Sequence, residues 1–437
     1  MKKVIIMGAA GRDFHNFNVV YRDSPDFQVV AFTATQIPGI EGRTYPPELA
    51  GPRYPNGIPI YSEDDLARLV KELKADTTVL SYSDISYLDL MHKSSIAMAA
   101  GADFQLLGPG STTIKSKLPV VSVCAVRTGA GKSTTSRRVA AILRDHRKRV
   151  AIIRHPMPYG DLSKEAVQRF ASFEDLDKAD CSIEEREEYE PHISKGFVVF
   201  AGIDYQEILK EAEKEADVIL WDGGNNDIPF IQPDVHFVVL DPLRPGNELD
   251  HYPSEVNVRL ANAGIINKVD TAEQKNVEMV ESNLKQLAPT AVVIKAVSEI
   301  TVDKPEVVKG KRVLVVEDGP TVTHGDMAYG VGFIAAKRFH ASEIVDPRKS
   351  AVGIYKETFR KYAHLTQVLP TMGYGHEQIK DLQDTITKAD CDGVIIATPA
   401  DIRRLIKFSK PTAMVSYELK EQTRPGIREV LQNHKII

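Results

Sequence analysis

The stretch AVRTGAGKSTTSRR, Ala125 to Arg138, follows the apolar run PVVSVCAV and carries residue types that hold a triphosphate. Gly129 and Gly131 let the backbone curl tightly, so that the N–H groups of Thr128, Gly129, Ala130, Gly131 and Lys132 turn inward toward phosphate oxygens. Lys132 is spaced to reach the β- and γ-phosphates and Ser133 to offer its hydroxyl to Mg²⁺. Thr134 continues into a helix whose positive end faces the anion. A loop of this kind transfers nothing by itself and needs a metal-linked carboxylate at the end of another buried strand. DVILWDGGNND supplies Asp222, with Gly223 and Gly224 leaving room for the γ-phosphate and Asn225, Asn226 and Asp227 placed to orient water or substrate. The expected metal set is Ser133 with Asp222.

Further polar residues gather at other strand ends. IIRHPMPYGDL offers Arg154 and His155 as substrate contacts and Asp161 as a catalytic carboxylate, on a loop stiffened by two prolines. KKVIIMGAAGRDFHN reads as a strand and glycine turn of Rossmann type, with Arg12, His15 and Asn16 as contacts to an anionic substrate. No acidic ribose partner follows FQVVAF, so an NAD-dependent reductase is the weakest reading. In VLVVEDGPTVTHGDMAYGVG, His324 beside Asp326 is a candidate acid or base. Arg244 in DPLRPG is within a loop's reach of phosphate, while the five glutamates of CSIEEREEYEPHISKG read as the solvated face of a helix.

The elements that must position these residues alternate: apolar β-rich runs are separated by charged helical stretches, the rhythm of parallel strands covered by crossover helices. The expected fold class is α/β. A central P-loop NTPase sheet with helices on both faces spans residues 119–305. It is flanked by a Rossmann-like domain over 1–115 and a C-terminal α/β domain over 306–437. With 437 residues, 43% hydrophobic, the chain has material for two or three cores. A net charge of −5 argues against nucleic acid and anionic membranes as partners, leaving a nucleotide and a small anionic metabolite. Three dispersed cysteines, an N-terminal apolar run too short for a signal peptide and no long apolar stretch fit the cytoplasm.

Three resemblances extend this reading. RTGAGKS resembles the altered phosphate loop of the signal-recognition, MinD and dethiobiotin-synthetase class of NTPases; Arg127 then stands at the signature lysine, and the resemblance implies a catalytic Arg127 reaching phosphate across a homodimer. INKVD resembles the guanine-reading element of GTPases, which implies base recognition by Asn267, Lys268 and Asp270 and favours GTP over ATP. RTGAGKSTTSRR, IRHPMPYGD, WDGGNND, DPLRPG and INKVD together resemble GTPases labelled cyclic 2,3-diphosphoglycerate synthetase-like. That family implies Mg²⁺-dependent closure of 2,3-diphosphoglycerate to its cyclic phosphoanhydride. The expected catalytic set is thus Lys132, Arg127, Asp161 and Asp222 in a nucleotide-driven kinase or ligase. The alternative is a GTPase switch or metallochaperone, against which the lack of any Cys- or His-rich metal tract weighs.

Overall fold

The computed structural model describes residues 1–35, 40, 42–155, 161–224, 226–323, 327–372 and 376–437. The fold is α/β. The first unit is a six-stranded sheet in the order Thr44–Tyr45, Ile58–Ser62, Phe27–Ala34, Lys2–Met7, Thr77–Leu80, Asp103–Leu106, all parallel except the short first edge strand. The strand order reverses at Lys2–Met7, the position at which open α/β sheets form a crevice.

A thirteen-strand sheet runs through the rest of the chain. Its centre is parallel, in the order Val198–Ala201, Val150–Arg154, Val218–Asp222, Val120–Ala125, Val235–Leu240, Ala263–Ile266, Val292–Val302. These strands read as unbroken apolar runs because helices cover both faces: every residue of Val120–Ala125 and Val235–Leu240 is buried.

The long strand Val292–Val302 joins this sheet to the C-terminal unit. Its first residues pair with Ala263–Ile266 and the remainder runs antiparallel to Thr412–Glu421, whose own start pairs with Gly393–Ala397. Arg312–Glu317 lies next, flanked by Glu343–Ile344 and Leu369–Pro370. The chain then returns to the centre: in and beyond the helix Ile427–Asn433, the side chains of Ile427, Val430, Leu431 and Ile436 are buried in the core beneath the helix Lys132–Asp145. Among the described residues no helix is long and apolar enough to cross a membrane.

The acidic helix differs from its expected role. Ile183–Ile193 is not a solvated face: Glu184, Glu185, Glu187 and Glu190 are buried along with Tyr189 and Ile193. Charge runs are ordinarily solvated because ionised carboxylates resist burial. Here Thr371, Thr398 and the Asp401 N–H of the C-terminal unit, with Ser182 at the helix cap, contribute hydrogen-bond donors, which composition does not reveal.

Candidate active site

The buried strand Val120–Ala125 delivers the glycine loop to the carboxyl edge of the central sheet. Gly129 and Gly131 have φ of 80° and 115°, a region that favours glycine, and a Cβ at Gly131 would collide with Asn267 Nδ2. Three consecutive loop carbonyls are each held by a side chain. Thr128 O accepts from Arg244 Nη2 at 2.6 Å, Gly129 O from Lys268 Nζ at 2.7 Å and Ala130 O from Asn267 Nδ2 at 3.0 Å. A peptide plane fixed at its oxygen is fixed at its N–H, so these braces orient the donors available to phosphate.

Asp241, fully buried, ties the braces together by accepting from Arg244 at 2.9 Å and Lys268 at 3.1 Å. Burial alone would raise its carboxyl, but Lys268 and Arg244 hold it below the ordinary range. Sequence reasoning passed over Asp241; its signal was the aspartate closing the apolar run VHFVVL. Asn267 and Lys268, expected at a guanine base, are thus placed behind the loop. Asp270 lies on the cavity wall, with Arg338 at 3.8 Å.

Arg127 is tied within its own chain. Its Nε lies 2.6 Å from Asp84 Oδ1, and its Nη1 lies 3.2 Å from Asn247 Oδ1 and 2.9 Å from His251 Nε2. Thr128 Oγ1 also donates to Asp84, at 2.6 Å, so the first unit grips the start of the loop.

Asp222 stands at the end of its strand as expected, but fully enclosed. Oδ1 accepts from Lys132 Nζ and Ser136 Oγ, each at 2.7 Å, while Oδ2 faces Arg154 at 2.8 Å and His192 Nε2 at 2.9 Å. Burial would push this carboxyl up, yet Arg154, then Lys132, then His192 hold it well below its ordinary value. Arg154 also pairs with Glu188. Ser133 lines the cavity, and the described residues contain no group of three His, Cys, Asp or Glu side chains arranged to hold a metal. A Mg²⁺ bound mainly through nucleotide phosphates and water would take Ser133 as its protein ligand, with Asp222 behind Lys132.

The remaining expected residues divide. Arg12 pairs with Asp227, donates to Ile228 O and lies 4.7 Å over the Phe230 ring. His15 stacks on the same ring at 4.1 Å, with Nε2 at 2.6 Å from Thr112 O, and Asn16 donates to Ser81 Oγ at 2.9 Å. All three are buried in and beside the seam between the first and central units, rather than open to an anion. The glycine turn beside them is filled by the chain's own Asp13 carboxylate, which accepts from the N–H groups of Ala10, Gly11 and Phe14.

Asn226 braces Val126 O and Ser254 Oγ at 3.3 and 3.1 Å, not a substrate, and His155 lies in the same buried seam, 3.6 Å from Asp227. Asp161 is exposed and satisfied by Ser163, away from the cavity. Asn225 and His324 fall outside the described residues.

One cavity unites what is left. The glycine loop, Lys132 and Ser133 form one wall; Glu187 and Glu188 of the acidic helix, with Glu317 and Asp318 at the end of the Arg312–Glu317 strand, form part of the other. Glu317 accepts from Gly330 N and Phe333 N at 3.1 and 2.8 Å, and burial nonetheless pushes it up to about 7. Glu187 accepts from Thr371 Oγ1 at 2.7 Å and from Thr398 Oγ1.

A protein of Thermococcus kodakarensis, arginine synthetase ArcE, is 61% identical to this chain over 431 residues, covering 99% of this chain and 96% of the relative. No family model matches the sequence. Among solved structures, LpxK from Aquifex aeolicus in complex with ATP is 13% identical with a TM-score of 0.43, over 74% of this chain and 90% of that one. The hydrogenase maturation factor HypB from Archaeoglobus fulgidus is 15% identical with a TM-score of 0.26, over 41% and 81%.

Proposed function

The chain belongs to the arginine synthetase ArcE family, and from that membership and the cavity we propose that it is a nucleoside-triphosphate-dependent ligase that forms arginine. The observation that carries the reading is the pairing of opposites in one cavity: a loop of N–H donors and Lys132 on one side, four carboxyl groups on the other. The first suits a triphosphate; the second suits the cationic nitrogens of an amino acid such as arginine.

Arginine differs from its ureido analogue by one nitrogen in place of oxygen at the terminal carbon. A phosphate loop can make that oxygen a leaving group by transferring the γ-phosphoryl to it, and an amine nitrogen then displaces phosphate. Lys132 and the braced loop amides stabilise charge on the transferred group, and positioning with electrostatics supplies most of such an acceleration. Bound Mg²⁺ would neutralise the phosphate oxygens during transfer.

A carboxylate wall repels a polyanion, which argues against 2,3-diphosphoglycerate as the acceptor. GTP remains a second reading for the nucleotide because Asp270 lines the cavity beside its bracing neighbours. The test is incubation with Mg²⁺ and ATP or GTP, adding in turn the ureido analogue with ammonium, or 2,3-diphosphoglycerate, and following arginine by mass and phosphate release. Arginine matched one to one by phosphate supports the ligase. Turnover indifferent to both acceptors supports a nucleotide switch.

A further inference from the structure

Two carboxyl groups from different units line the cavity wall facing the glycine loop. Glu187 comes from the helix Ile183–Ile193 of the central unit, and Asp318 ends the Arg312–Glu317 strand of the C-terminal unit. Both line the cavity, and each lies in the other's field, so one shared proton is favoured over two full charges. The two threonine hydroxyls that donate to Glu187 Oε1 come from separate strand ends, Thr371 after Leu369–Pro370 and Thr398 after Gly393–Ala397. They pin that oxygen as an acceptor. Thr321 does the same for Asp318.

Other groups near the pair are mostly acidic or phenolic. Glu184 and Glu188 lie on the same helix, Glu317 on the neighbouring strand, and Tyr355 and Tyr417 stand behind. Arg154 is engaged by Glu188 and Asp222, while Arg127, Lys132, Lys268 and Arg338 line the cavity with the pair. Among the described residues, no ion pair of Glu187, Glu317 or Asp318 with a basic side chain is present. Burial, reinforced by the neighbouring carboxylates, raises Glu187 well above the ordinary range; burial also pushes Asp318 up to about 6.

We propose that the Glu187–Asp318 pair receives the cationic nitrogen donor, ammonium or a primary amine, and takes its proton so that the nitrogen can attack the phosphorylated carbon. This rests on the ligase reading above. The proton passes to the pair while its bonding electrons stay on nitrogen. Those electrons form the C–N bond as the C–O bond breaks, its electrons leaving with phosphate. A second proton from the added nitrogen goes to that phosphate. The pair suits the task because two carboxyls sharing one proton keep an oxygen able to accept another, and because they line the same cavity as the glycine loop. Two fully ionised carboxylates in one wall would repel each other, and two protonated ones would accept nothing.

Arginine formation is measured against ammonium chloride from mildly acidic to alkaline pH, with Glu187→Gln and Asp318→Asn beside the native chain, and formation of the N-hydroxyguanidino product is measured with hydroxylamine, a nucleophile largely unprotonated near neutrality. At neutral pH, kcat/KM for ammonium should fall about a hundredfold in either variant and recover as alkali frees ammonia, while the hydroxylamine reaction stays within about threefold of the native chain. Thr398→Val keeps both carboxyls but removes a donor that lowers Glu187, so its acidic limb should move to higher pH. Equal loss with both nucleophiles, or ammonium kinetics unchanged across the pH range, would overturn the proposal. A native chain that makes no arginine at all defeats instead the reading beneath it.

Discussion

Lys132 and Asp222 share one buried ion pair, and that pair separates chemistry from stability. Lys132→Ala removes the cation proposed to meet phosphate but leaves Asp222 held by Arg154, so the protein should fold while phosphate release drops by about 10²- to 10³-fold. Arg154→Ala strips a fully desolvated partner from both Asp222 and Glu188 and should lower unfolding free energy by about 3–5 kcal/mol in a denaturant titration. His15 makes a different residue-scale test. Burial, with Arg12 adding to it, lowers its pKa to about 3, against 6.5 for the exposed side chain. The unfolded chain therefore binds a proton at His15 that the folded one refuses. Its contribution to stability is intact above about 6.5 and is lost as pH falls toward about 3. Unfolding free energies across that window should slope one proton less steeply in His15→Gln than in the native chain.

At the scale of elements, the glycine loop is shaped by what stands behind it. Asn267→Ala releases Ala130 O and should weaken nucleotide binding about tenfold in a titration, the worth of one buried hydrogen bond. Gly131→Ala, which forces a side chain into Asn267 at a φ of 115°, should abolish binding. Much of this element was legible in the sequence. A strand, two glycines, GKS and a helix have few other uses; NK after another strand singled out Asn267 and Lys268, but for a guanine base rather than as braces of the loop. The acidic helix was not legible. Five glutamates in eleven residues carry no periodic apolar stripe, and nothing local announces that Thr371, Thr398 and Ser182, far apart or at the helix cap, supply donors for buried carboxyls. Likewise GAAGRD has the spacing of an anion-binding turn; only the fold shows Asp13 occupying it.

Across the whole molecule, the cavity exists because two carboxyl edges of one continuous sheet face each other. The strands Val292–Val302 and Thr412–Glu421 tie them together. Ending the chain at residue 421 removes Ile427, Val430 and Leu431 from the central core, at about 1.5–3 kcal/mol for each large side chain. The truncated protein should unfold far more easily in denaturant, and loss of nucleotide binding should track that unfolding. The central and C-terminal units should melt together in calorimetry, because neither keeps its edge strand without the other. Segment-by-segment reading does not show the shared sheet: pairing partners over a hundred residues apart leave no local trace.

The central claim is that this cavity drives ligation by moving a phosphoryl group onto the oxygen that arginine's last nitrogen replaces. It is tested most directly by supplying the ureido analogue with ¹⁸O at that oxygen, together with Mg²⁺, nucleotide and ammonium, and weighing the released phosphate. One labelled phosphate for each arginine is the expected result. Arginine accompanied by unlabelled phosphate, or by label carried on a nucleoside monophosphate, would contradict it.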